Sequence, residues 1–299
     1  MDFSSYLCYF IIMGELPFGV EVHLEAYLLI RCVYIVYIDI EGESTMGKII
    51  SIANQKGGVG KTTTTVNLAA CLAQKKKRVL LLDIDPQGNA SSGLNIKNSE
   101  FTVYEALLGE MSLKQTARES DVKKLFVCPS DIRLAGAELE LASLTKREYQ
   151  LQNLLKEVRD EYDYILMDCP PSLGLLTINA LVASDTVLIP IQCEYYALEG
   201  LMALMDTIRR VRGTLNPSLD IEGILMTMFD GRTNLSLQVV AQVKKHFKSQ
   251  LFKTTIPRNV RLGEAPSHGL PITDYDKHSA GALAYTALAE EVLRNNKKR

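Results

Sequence analysis

Residues 54–65 read NQKGGVGKTTTT. The closing half, Gly60-Lys61-Thr62, is how a phosphate-binding loop ends as its helix begins. The opening half departs from the usual G-x-x-x-x-G-K-[ST] loop. Where that loop has its first glycine the chain has Gln55, and a second lysine, Lys56, follows at once. Successive backbone N–H groups of Gly57, Gly58, Val59 and Gly60 form a nest for an anion. The glycines let the chain adopt positive φ and wrap close to phosphate oxygens. A helix beginning at Lys61 adds its positive end. In such a loop Lys61 reaches the β- and γ-phosphates, Thr62 ligates Mg²⁺ and Thr63 reaches the α-phosphate.

The surroundings fit that reading. KIISIAN (48–54) is an apolar strand running into the loop, and Lys61 to about Lys75 has helical spacing. Further apolar strands follow at 78–85, 125–131, 163–171, 186–192, 223–229 and 251–257. Helical stretches lie between them, at 134–144, 147–160, 197–212 and 236–247, with a final one over 279–295. Thr102 and Glu105 make a capping box. Continuous apolar strands separated by helices predict an α/β fold: a mostly parallel twisted sheet with helices on both faces. Ligands in such folds sit at the carboxyl ends of the strands. Three acids fall there. Asp83 and Asp85 end the second strand and Asp168 ends YILMD. A Mg²⁺ ion and its waters need carboxylates beside the phosphate loop. Asp83 and Asp168 with Thr62 form the predicted metal set, and Asp85, next to the rigid Pro86, is placed to orient an attacking water.

Composition sets softer bounds. The 299 residues carry a formal net charge of −2, with 47% hydrophobic and 23% charged, as in a soluble globular protein. The average hides a split. Residues 1–45 hold one basic and seven acidic residues, which leaves a net of +4 on 46–299. A mildly basic body is compatible with DNA binding without requiring it. Six cysteines, at 8, 32, 71, 128, 169 and 193, make no CxxC pair and no cluster with histidine. They read as reduced, buried thiols of a cytoplasmic protein.

Here the motifs meet a family. KGGVGKTT resembles the deviant Walker A loop of the ParA/MinD ATPases. DIDPQGNASSGL (83–94), MDCPPSLG (167–174), PIQCEYYALEG (190–200) and IPRNVRLGEAPSHGLPITDYD (256–276) are similar to the ParA/Soj chromosome-partitioning branch. The resemblance runs from Met46 to about residue 295. It implies an ATPase that binds ATP and Mg²⁺ and forms an ATP-dependent homodimer. It also implies nonspecific DNA binding, hydrolysis stimulated by a ParB-like partner, and a cytoplasmic, nucleoid-associated location. It explains the second lysine, because in this family the residue matching Lys56 reaches the phosphates held by the other subunit. By the same resemblance Arg232 and Arg261 contact DNA, and the backbone of Pro257, Arg258 and Asn259 borders the adenine.

Three alternatives share the loop. A MinD-type membrane ATPase would end in an amphipathic helix with bulky apolar residues, whereas the last helix here is alanine-rich. An iron–sulfur reductase would need cysteines between subunits, and Cys169 has no partner on a suitable loop. A regulator of replication initiation or gene expression would use the same ATP switch. Residues 1–45 lie outside the resemblance and contain no lysine. They read either as an over-long start, with Met46 the true one, or as an added segment. The apolar run at 33–38 is far shorter than the ~20 residues of a spanning helix.

Overall fold

The computed structural model describes residues 46–194 and 197–297, so the reading of residues 1–45 falls outside the described residues. Over 46–297 the elements run β1 (Lys48–Ile52), α1 (Lys61–Gln74), β2 (Val79–Asp83), β3 (Arg118–Glu119), β4 (Leu125–Cys128), α2 (Leu134–Ala142), β5 (Tyr164–Asp168), α3 (Leu175–Ala183), β6 (Thr186–Gln192), α4 (Ala197–Thr214), β7 (Asp220–Phe229), α5 (Asn234–Phe247), β8 (Leu251–Pro257) and α6 (Ala280–Asn296). Short turns of helix fill the connections. The strands form one sheet in the order β3-β4-β2-β5-β1-β6-β7-β8. Every pairing is parallel except that of β3 with β4.

The apolar runs make central strands because both faces are covered. Alternate residues along each strand point to opposite faces, and the two sets enter different cores. Ile49, Leu80, Leu82, Ile165, Met167, Val187 and Ile189 pack with residues of α2, α3, α4 and α5. Ile50, Ile52, Leu81, Leu166 and Leu188 pack with α1 and α6. The last helix therefore lies on the body through Tyr285, Leu288, Ala289 and Val292, which are buried. Among the described residues no helix is long and apolar enough to cross a membrane.

Several expected elements are shorter than their patterns suggested, the strands at 125–131 and 163–171 among them, which end at Cys128 and Asp168. The second strand ends at Asp83, so Asp85 is not a strand residue and lies in the following loop. The stretch 147–160 is not one helix but a 3₁₀ turn (Arg147–Tyr149), an α-helix (Gln150–Lys156) and a second 3₁₀ turn (Arg159–Glu161). The break coincides with contacts from a neighbouring helix. Lys146 adopts a left-handed conformation at φ 53°. Asn179 of α3 then accepts the Leu151 N–H at 3.2 Å and donates to the Arg147 carbonyl at 2.9 Å.

The candidate nucleotide site

Strand β1 lies between β5 and β6 and delivers the glycine loop at its carboxyl end. Gly58 and Gly60 have φ of 72° and 86°, the left-handed region where glycine is favoured. An added Cβ at Gly57 or Gly58 would meet nothing within 4 Å, so the loop opens onto free space. Helix α1 has Gly60 as N-cap, with no side-chain cap and no acid in its first turn. Its first N–H groups are thus left for an anion. The loop is braced from behind: the Thr227 hydroxyl donates to the Val59 carbonyl at 2.8 Å.

Lys61 is buried and its ammonium donates to the Lys56 carbonyl at 3.2 Å, closing the loop on itself. Burial lowers its pKa, while the charges of Asp168, Cys169 and Asp85 hold it up. Thr62 and Thr63 are half-buried on the first turn.

The parallel register sets the acids. Asp168 is the partner of Ile52 on one side and of Asp83 on the other. The two carboxylates therefore end neighbouring strands, Asp168 one strand and Asp83 two strands away from the one that carries the phosphate loop, and both are fully buried. Asp83 accepts the Ser91 N–H at 2.8 Å, the Ser91 hydroxyl at 2.6 Å and the Asp85 N–H at 3.2 Å. Asp168 accepts the Thr65 hydroxyl at 3.1 Å on one oxygen, and its other oxygen has no hydrogen-bond partner. Burial drives the pKa of both acids upward. For Asp168 the charge of Asp83 adds to the rise, and the Thr62 and Thr65 hydroxyls oppose it. A buried, unpartnered carboxylate oxygen beside a threonine hydroxyl and a second buried carboxylate is a hard-oxygen donor set suited to Mg²⁺. No three acidic, histidine or cysteine side chains converge among the described residues. A magnesium ion here would thus take further ligands from phosphate and water, as this ion usually does. Asp85 is nearly buried in the loop after β2 and accepts the Gln87 N–H at 3.0 Å.

A cavity of about 230 Å³ opens beside the loop. It joins Gly60 and Thr63 to Pro257, Arg258 and Asn259, the three residues expected at the adenine. Sequence reasoning missed its other walls, which include Thr227, Met228, Leu262 and Tyr285. Met228 has φ 49°, a left-handed conformation uncommon for any residue with a β-carbon, and lies where the β7–β8 register shifts. It also missed Ser91, Thr65 and Glu194. Glu194 forms an ion pair with Lys56.

Arg232 and Arg261 leave the ends of adjacent strands, since Phe229 of β7 and Pro257 of β8 are register partners. Arg232 is highly exposed and pairs with Asp230, its Nη2 lying 2.8 Å from Oδ2. Arg261 is half-exposed and lies 2.9 Å from Glu264 and 3.6 Å from Asp276. The four cysteines among the described residues, 71, 128, 169 and 193, are free and buried, and burial pushes the Cys169 thiol up.

Comparison with known proteins agrees with this geometry. A protein-family model described as an AAA domain matches residues 47–221. The chain is 59% identical over 252 residues to the sporulation initiation inhibitor protein Soj of Bacillus subtilis (strain 168), spanning 84% of this chain and 100% of that one. It is 51% identical over 254 residues to the chromosome-partitioning ATPase Soj of Treponema pallidum (strain Nichols), spanning 85% and 100%. Among solved structures, a cobyrinic acid a,c-diamide synthase of Mycobacterium smegmatis with bound ADP and magnesium superposes with a TM-score of 0.75 at 35% identity. That match covers 84% of this chain and 96% of that one.

Proposed function

Because the chain belongs to the ParA/Soj family of chromosome-partitioning ATPases, we propose that it is a Mg²⁺–ATP-dependent switch that dimerises and binds DNA in its ATP state. The observation that carries the nucleotide part is the pairing of an open, uncapped glycine loop with two buried acids, in register with each other on the next two strands of the sheet. Lys61 binds the β- and γ-phosphates, and the loop N–H groups from Gly57 to Gly60 and Thr63 hold the rest of the chain of phosphates. Thr62, Asp83 and Asp168 are the residues that would hold the magnesium ion and its waters. The ion, when bound, neutralises phosphate charge. Pro257, Arg258 and Asn259 border the adenine, which the shared cavity with Thr63 supports. Asp85 orients the attacking water from a loop whose backbone is tied to Asp83. Catalysis is then positioning plus charge stabilisation.

Lys56 supplies the second cation in trans, as an arginine finger does. Two loops face to face hold two nucleotides between two chains, so the γ-phosphate favours the dimer. Arg232 and Arg261 contact DNA phosphates, which gives affinity without sequence preference and a steep salt dependence. Their emergence from adjacent strand ends supports a shared face. A ParB-like protein accelerates hydrolysis and returns the dimer to monomers. No observation on α6 favours membrane attachment, since its apolar face is buried on the body.

The test is binding of the purified protein to random-sequence duplex DNA with ATP, with ADP and without nucleotide, at two salt concentrations. Tight binding only with ATP, weakened by salt, is the expected result. Equal binding in all three states, or none, overturns the switch.

A further inference from the structure

Lys56, the lysine that sets this loop apart, is not a free side chain. Its ammonium forms an ion pair with the Glu194 carboxylate, 138 residues further along. Its backbone is held by the same neighbourhood. The Lys56 N–H donates to Asn54 Oδ1 at 3.0 Å, and Asn54 Nδ2 donates to the Pro190 carbonyl at 2.7 Å. Pro190 lies in β6 and Glu194 lies two residues beyond its end. The Lys56 carbonyl accepts the Lys61 ammonium. One strand and the loop leaving it therefore fix Lys56 at both its backbone and its charged tip, within its own subunit. A lysine so engaged cannot at the same moment reach phosphates across a dimer interface, because its ammonium is held in place and its charge is already countered by the carboxylate.

We propose that Glu194 is a positioning residue that parks Lys56 in the single subunit and releases it when the partner subunit presents nucleotide. The proposal rests on the reading of Lys56 as acting in trans. The ion pair is partly exposed, with side chains 36% and 43% accessible, which makes it weak enough to break. An exposed pair of this kind shifts an equilibrium by about 1.5- to 5-fold. A dimer releases two of them, so dimerisation is opposed by about 2- to 25-fold. Parking keeps the lysine off its own loop's phosphates and makes the switch answer to two nucleotide-loaded subunits instead of one.

Two readouts test it on the full chain. The first is the rate at which an amine-reactive reagent modifies Lys56 in the nucleotide-free protein, resolved by mass spectrometry. Glu194→Gln should raise that rate about 1.5- to 5-fold, and Glu194→Asp, which keeps the carboxylate, should return it toward the original. The second is the ATP concentration for half-maximal dimerisation, followed by analytical ultracentrifugation. E194Q should lower it, and adding E194Q to Lys56→Ala should change nothing. Unchanged Lys56 reactivity, weaker dimerisation in E194Q, or an E194Q effect that persists without Lys56 overturns the proposal. If the unaltered protein stays monomeric in ATP, the switch reading fails instead, and the modification rate still decides whether Glu194 parks the lysine.

Discussion

At the scale of single residues, the site divides into groups that chemistry made visible and groups that only folding brings near. Asp83 and Asp168 stand out in the sequence because each follows an apolar run, and a parallel sheet must place such residues together at one edge. Ser91, Thr65 and Glu194 carry no comparable signal. A serine or threonine acquires its role from a turn or a register that no local pattern announces, and Glu194 meets Lys56 only because β6 lies next to β1. Asp85 tests the division of labour. Asp85→Ala is expected to abolish ATP turnover while leaving ATP-dependent DNA binding intact. Loss of DNA binding as well, in a filter or anisotropy assay, would mean that the loop matters for building the dimer and not for orienting water.

At the scale of elements, boundaries were the least legible part. The strand at 186–192 matches its apolar pattern to the residue, because burial on both faces demands an unbroken run; the bounds at 251–257 match too, although that strand lies at the end of the sheet and only Phe252 and Ile256 are buried. The stretch 147–160 does not form one helix, and the contacts at its start come from Asn179 of another element. The capping box was readable since both partners lie within one turn. The Thr102 N–H donates to Glu105 at 2.8 Å and the Thr102 hydroxyl accepts the Tyr104 N–H at 3.2 Å. Burial pushes the Glu105 carboxyl up, but the donors from Thr102 and Arg133 outweigh it and hold its pKa below the usual value. A depressed carboxyl pKa gives stability that is complete above the unfolded value and lost as pH falls through the folded one. Glu105→Gln is expected to cost about 1 kcal/mol at pH 7. Against the parent, that difference should shrink below about pH 4, measured as urea midpoints at both pH values.

At the scale of the whole molecule, the last helix completes the site it never precedes in sequence. Tyr285 of α6 is fully buried, shares a hydrogen bond with Thr64 of α1 at 3.2 Å and lines the cavity expected to take adenine. Tyr285→Ala should cost about 3–5 kcal/mol of stability and weaken nucleotide binding. Tyr285→Phe should cost about 1 kcal/mol and leave binding near normal, as read by calorimetry. The two arginines act on a different surface. Replacing Arg232 and Arg261 together with alanine should reduce the slope of log affinity against log salt by about 2, with no change in ATP-driven dimerisation. The fold and the geometry of the glycine loop were legible because they rest on periodicity and glycine spacing. Of the arginines' carboxylate partners, Asp230 and Glu264 are sequence neighbours, whereas Asp276 meets Arg261 only through the fold.

The irregular pairing of β7 with β8 has a consequence for motion. Their register shifts twice, between Ile224 and Met226 and again between Met226 and Phe229, whereas β1 and β5 align without interruption. The phosphate end of the site is thus anchored in the centre of the sheet, and the base end hangs on its edge. Local opening should be commonest where a ladder is broken and one side lacks a neighbour. Amide hydrogens of β8 should therefore exchange with solvent well before those of β1. Nucleotide, by bridging Thr63 to the segment after β8, should slow the β8 amides most, so that the ligand acts as the missing stitch of the sheet's loosest seam.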